Sequence, residues 1–172
     1  MTQIQVPNRF VMDPFYKEGD IISFEKETCV EEGDMFIFEI AAAEEIDLYQ
    51  PWNVKEKTIP VILEIWKQDQ EEIASLFRKR KRNEAKAPMI RHTARFVSIL
   101  FWLNGTYISS LQQYAKEIEV LDLKPVNIVE RLRFILEQPD HYHSFIQLSQ
   151  LYEEARKLFG KMIVMKKNHL HE

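Results

Sequence analysis

The sequence predicts an all-α protein, a compact bundle of about five or six helices around a central apolar helix at about residues 88–104, with an N-terminal arm. Three observations carry this prediction. Apolar side chains recur at helical spacing in several long segments, the pattern of helices that bury one face. Glycine is scarce, with 4 in the chain, which leaves little material for tight hairpin turns. Between residues 94 and 103 only Arg95 and Ser98 interrupt the apolar side chains. A helix apolar nearly all round is either a buried core helix or a membrane span. A span needs roughly 20 apolar residues. This run is shorter, and Arg91, His92 and Arg95 lie in its first turns, so the core reading holds.

Apolar content of 45% and aromatic content of 12% suffice for one hydrophobic core. The expected division is an N-terminal arm and acidic loop at 1–34, a single helical domain at 35–165 and a polar tail at 166–172. The lone Cys29 can form no intramolecular disulfide, which points to a reducing compartment. The first ten residues, MTQIQVPNRF, lack the basic-then-apolar order of a signal peptide. A cytoplasmic location without membrane attachment is expected. The net charge of −4 hides an asymmetry. Residues 1–50 carry 3 basic and 12 acidic side chains, and the remainder 20 basic and 15 acidic. The two portions attract each other, or the acidic one shields a basic face.

In chain order, VPNRFVMDPFY at 6–16 is an apolar arm broken by Pro7 and Pro14 that packs Phe10, Phe15 and Tyr16 on the body. The acidic stretch 18–34 reads as loop. Residues 35–49 recover helical spacing, and Gln50-Pro51 ends that helix, because the residue before proline leaves the helical region. Residues 58–82 form the clearest amphipathic helix, with Ile59, Ile62, Leu63, Trp66, Ile73, Leu76 and Phe77 on one stripe, Thr58 as N-cap and Pro60 in the first turn. The central helix follows, with Pro88 expected in its first turn and Asn104-Gly105 at its end. Residues 107–120 form the next helix, with Ser109–Gln112 or Ser110–Gln113 as a capping box. Asn127 with Glu130, and Ser144 with Gln147, read as boxes opening helices to 138 and to about 165.

The sharpest local feature is Arg78-Lys79-Arg80-Lys81-Arg82, followed by Lys86 and Arg91: seven basic residues against one acid, Glu84, in fourteen positions. Cations at a helix C-terminus complement the macrodipole, so the bland reading is a well-capped, solvated helix end. Five consecutive charges exceed what one helix end uses. The functional reading is a sequence-blind phosphate-binding patch for DNA or RNA, or a docking site for an acidic protein. A second candidate is a polar pocket near Arg95 formed with His92, Arg131, His141 and His143. Its structural counterpart is a buried guanidinium in an ion pair with Glu130 or Asp140. His141-Tyr142-His143 lacks the convergent ligand set a metal needs. No nucleophile elbow, phosphate loop, glycine-rich dinucleotide turn or Cys–His pair is present. The expectation is therefore a non-enzymatic module without cofactor or metal.

The blocks IPVILEIWK (59–67), LFRKRKRNEAKAPM (76–89), FWLNG (101–105), KPVNIVERLRFIL (124–136) and YHSFIQL (142–148) resemble the YpoC-like family of Bacillus-type bacteria. VPNRFVMDPFY near the start is similar to that family's opening. The resemblance implies a small cytoplasmic bacterial protein with no assigned activity and brings no catalytic residues with it. Besides nucleic-acid binding, two further functions are weighed. One is a protein-interaction scaffold using the aromatic arm and the YHSF segment; the other is an enzyme or small-anion binder around Arg95.

Overall fold

A computed structural model describes residues 1–170. Six helices occupy the described chain: α1 (Ile37–Ala43), α2 (Lys55–Arg78), α3 (Arg82–Leu103), α4 (Tyr114–Glu119), α5 (Ile128–Glu137) and α6 (Tyr142–Leu170). The mostly helical bundle is the one the apolar periodicity predicts. Helices α2, α3 and α6 pack on one another and make the core; α5 covers α6 and α3, and α4 leans on α5. From His92 to Leu103 every residue of α3 except Arg95 is buried. Each large apolar side chain taken fully out of water there contributes about 1.5–3 kcal/mol, which makes α3 the element on which the others assemble.

The N-terminal arm is more ordered than the sequence predicts. Strands β1 (Thr2–Gln5) and β2 (Ile21–Phe24) form an antiparallel pair running from Thr2 opposite Phe24 to Gln5 opposite Ile21. β2 therefore lies inside the stretch expected to be loop. The missed signal is the short run Ile21-Ile22-Ser23-Phe24, in which Ile22 and Phe24 are buried and Ile21 is exposed. Phe10, Phe15 and Tyr16 are buried in the main core, and the Tyr16 hydroxyl donates to the Met35 carbonyl at 2.7 Å. Gln112 fastens the arm from the other side, its amide donating to the Asn8 carbonyl at 2.8 Å.

Several helix boundaries depart from expectation for local reasons. α2 begins at Lys55, and Thr58 is inside it, its hydroxyl donating to the Pro51 and Val54 carbonyls at 2.9 and 3.3 Å. A buried threonine that satisfies itself on the preceding turn is not an N-cap. α3 begins at Arg82, so Pro88 falls inside the helix and not in its first turn. The 107–120 helix shrinks to α4, because the Glu117 carboxylate accepts from both the Ser109 and Ser110 backbone N–H groups at 2.9 and 3.0 Å and holds that stretch extended. Asn127 precedes α5 in a left-handed conformation with no side-chain cap. Ser144 sits within the first turn of α6 and donates to the Gln138 carbonyl at 2.6 Å, tying α6 to the end of α5. α6 continues to Leu170 through much of the segment expected to be a tail, and Lys166 on it pairs with Glu56 of α2. Residues 171–172 of that expected tail lie outside the described residues.

The Asn104-Gly105 end of α3 forms as the pair predicts. Gly105 takes φ +70, and the Gly105 and Thr106 N–H groups close on the Trp102 and Phe101 carbonyls. This is a Schellman turn, in which a left-handed residue lets the chain satisfy the last orphan carbonyls.

Candidate functional site

The basic run is not one helix end but a turn between two helices. α2 stops at Arg78, Lys79-Arg80-Lys81 reverses the chain, and α3 starts at Arg82. The reversal is a second Schellman turn: Lys81 N–H reaches the Leu76 carbonyl at 2.8 Å and Arg80 N–H the Phe77 carbonyl at 3.0 Å. Arg80 holds the left-handed position with φ 58, where α3 uses Gly105. A side chain there costs roughly 1 kcal/mol against glycine. Arg80→Gly is accordingly expected to raise unfolding free energy by about 1 kcal/mol in urea titrations, with the slope unchanged.

Some of these cations have structural partners. Arg78 meets Glu71 at 2.9 Å on the exposed face of α2. Arg82 reaches across to the loop before α6, donating to the Asp140 carbonyl at 3.0 Å and to its carboxylate at 3.3 Å. Lys81 lies 3.9 Å from Glu84. Exposed pairs of this kind contribute about 0–1 kcal/mol. Lys79, Arg80 and Lys86 are exposed and make no ion pair among the described residues. Arg80, Lys81, Arg82, Asn83, Glu84 and Asp140 together line an open depression beside the turn.

The helix dipole separates two groups within the run. Arg78 and Lys79 close α2, where cations are favoured; Lys81 and Arg82 open α3, where the same dipole disfavours them. Helix capping therefore accounts for the first two and not for the last two. What the start of a 22-residue helix favours is an anion.

Further along α3, Arg91 and Arg95 face a cavity of about 540 Å³ between α3, α1 and the loop that precedes α1. Tyr16, Glu39, Ser98 and Trp102 contribute polar groups to its wall, and Phe36 and Phe38 contribute rings. Glu39 is 1% exposed and accepts from the Trp102 indole N–H at 3.2 Å. Burial raises its pKa above the ordinary value, opposed by hydrogen bonds from Ser98, its own backbone and Trp102.

With this geometry in view, comparison with known proteins places the chain. The model of the family described as YpoC-like protein matches residues 56–167. The chain belongs to the YpoC-like family. It is similar to the uncharacterized protein YpoC of Bacillus subtilis (strain 168), 31% identical over 115 residues that cover 67% of this chain and 70% of that one. No solved structure matches. The YpoC-like segment contains the whole basic turn and both arginines of the cavity. The opposite cavity wall, with Tyr16 and Glu39, comes from residues before it.

The four residues expected to share a pocket with Arg95 do not converge on it. Arg95 lines the cavity, and none of the other four does. His92, three positions earlier on α3, faces the other way: its Nε2 lies 2.9 Å from the Asp69 carboxylate on α2, and its ring meets Trp66 edge-on at 5.2 Å. Arg131 belongs to α5 and α6, held at 2.5 Å by Glu154 and at 3.2 Å by Gln147. His141 and His143 flank the start of α6, with His143 exposed. The predicted ion pair of Arg95 with Glu130 or Asp140 is also absent, since Glu130 is exposed and Asp140 binds Arg82. A three-residue offset on a helix turns side chains about 60° apart, and in a core this crowded that angle sends His92 and Arg95 to different neighbours.

Arg91 moves from one candidate group to the other. Distance along the chain groups it with the basic run, but its side chain lines the cavity wall. Glu39, Ser98 and Trp102 were not foreseen as a group. The available signal was Glu39 itself, a lone acid inside the apolar run Phe36-Ile37-Phe38-Glu39-Ile40-Ala41.

Proposed function

We propose that this YpoC-like protein is a non-enzymatic module that binds nucleic acid through the turn between α2 and α3, with Lys79, Arg80, Lys81, Arg82 and Lys86 on the phosphates. The observation that carries the reading is the placement of Lys81 and Arg82 at the start of α3, where the dipole disfavours cations and favours a bound anion. Three exposed cations with no ion pair among the described residues surround that point. At 1.5 Å per residue, Lys86 stands about 6 Å along α3 from Arg82, one turn further on. Contacts of this kind read backbone charge and not base sequence. Among the described residues no helix is long and apolar enough to cross a membrane. A cytoplasmic location, where nucleic acid is at hand, is part of the same proposal.

The test is binding to labelled double-stranded DNA, single-stranded DNA and RNA across a salt series. The comparison is a Lys79→Gln, Arg80→Gln, Lys86→Gln variant, whose three side chains have no ion-pair partner to lose. About five phosphate contacts predict a log–log salt slope near −4.5 for the wild type. The triple variant keeps two of them and is expected to bind about a hundredfold more weakly, with a slope near −2. Equal binding by both proteins, or none by either at low salt, sinks the reading; in the second case an acidic protein is the partner to seek at the same turn. The aromatic arm does not compete as a docking surface, because Phe10, Phe15 and Tyr16 are buried in the core.

A further inference from the structure

We propose that the cavity between α1, its preceding loop and α3 binds a small organic monoanion with an aromatic or apolar body, held by Arg95 and Arg91. This is a second site, separate from the turn at the start of α3. The volume of about 540 Å³ lies within the range of small-molecule pockets, and its lining joins apolar side chains to two arginines and three carboxylates.

The anion preference rests on Arg95. Arg95 is half-buried at the cavity wall, and no hydrogen bond or ion pair among the described residues engages its guanidinium. A guanidinium presents five N–H donors in a planar fork matched to carboxylate and phosphate oxygens. A guanidinium carried on a half-buried side chain and left open toward a cavity is placed to take an anionic partner from there. Arg91 lies one helical turn earlier on the same face, exposed at the rim and likewise without an ion pair. Two such groups at i and i+4 can grip one anionic head between them.

The remaining wall narrows the class. Glu39 accepts from the Trp102 indole N–H and makes no ion pair with either arginine among the described residues. Met35 and Ile90, both half-buried, supply apolar surface for a ring. Glu32 and Asp34 line the opposite rim, Asp34 accepting from the Ser23 N–H at 3.1 Å. Two acids on that side oppose a second negative charge, which disfavours polyphosphates and dicarboxylates and leaves the monoanion.

Titration calorimetry with 1-naphthoate, its neutral analogue 1-naphthalenemethanol and 1,4-naphthalenedicarboxylate tests this. The expected result is saturable one-to-one binding of 1-naphthoate, with the alcohol and the diacid each at least tenfold weaker. Arg95→Gln is expected to weaken the naphthoate by tenfold or more with little change in melting temperature at pH 7, since no hydrogen bond or ion pair is removed. Ala87→Trp, at the exposed mouth of the cavity, blocks entry without touching the core and should give the same loss. No saturable binding of 1-naphthoate by the wild type, or undiminished binding in both variants, overturns the proposal.

Discussion

Trp66→Ala is expected to lower the unfolding free energy by about 3–5 kcal/mol. Trp66 stands where the three core helices meet. Its ring stacks on Tyr152 of α6 at 4.6 Å and 6°, meets His92 of α3 edge-on at 5.2 Å, and tilts against Phe145 of α6 at 6.0 Å. Truncation loses the transfer energy of a ring that is 4% exposed and leaves a cavity lined by α3 and α6, which are anchored elsewhere and cannot close on it. A protein stable by roughly 5–15 kcal/mol would give up a large share of that margin. Trp66→Phe keeps much of the apolar volume and should cost far less, which separates loss of packing from loss of the particular ring. Urea titrations check both: the midpoint should fall steeply for alanine at constant slope. A loss under about 1 kcal/mol would mean that the junction of α2, α3 and α6 does not organise the fold.

Trp66 also shows what is legible in a sequence of this kind. Its place on the stripe with Ile59, Ile62, Ile73 and Phe77 follows from a period of 3.6, and all of these are buried in one core. The same period identifies the long body of α6, whereas α3 is legible as a nearly unbroken apolar run. What it does not reveal is where a polar residue finds its partner. Thr58, Ser109 and Ser144 all have the composition of helix caps, yet each is claimed by a different contact: Thr58 by the carbonyls behind it, Ser109 by Glu117, and Ser144 by Gln138. Hydrogen bonds to a group six or eight residues away depend on how the loop folds, and the local pattern carries little of that information. β2 escaped notice because a four-residue strand is too short to show its alternation.

The two candidate sites differ in the same way. The basic turn is contiguous in the chain, so its charge is visible without a structure; only the position of the reversal, which splits the run between the end of α2 and the start of α3, had to be seen. The cavity draws on residues from Pro14 to Trp102, and no spacing rule joins Glu39 to Arg95. Arg95 itself stood out as a charge in an apolar run, but pairing it with His92 by offset alone ignored the 60° between them.

That divergence places His92 where it governs stability in acid. Between pH 6.5 and 4 the wild type is expected to lose about 3 kcal/mol more stability than His92→Gln. The imidazole is buried, and burial, together with the positive charge of Arg95, lowers its pKa from 6.5 to about 4, although Asp69 pulls the other way. Arg91 adds a smaller push, and Tyr152 packs against the ring while donating to the His92 carbonyl at 2.5 Å. The ring is therefore neutral in the fold, with Nε2–H donating to Asp69 and Nδ1 buried without a partner. Below pH 6.5 the unfolded chain takes up a proton that the folded one refuses, so stability falls as pH decreases and levels off near pH 4. Above pH 6.5 both states are neutral and the contribution is fully present. Glutamine can still donate to Asp69 but does not titrate. The difference between the two proteins in urea titrations at pH 7, 6, 5 and 4 thus isolates this group from the carboxylates they share. A difference that stays constant across the series would mean that His92 accepts a proton in place, with the positive charge carried by its contact to Asp69.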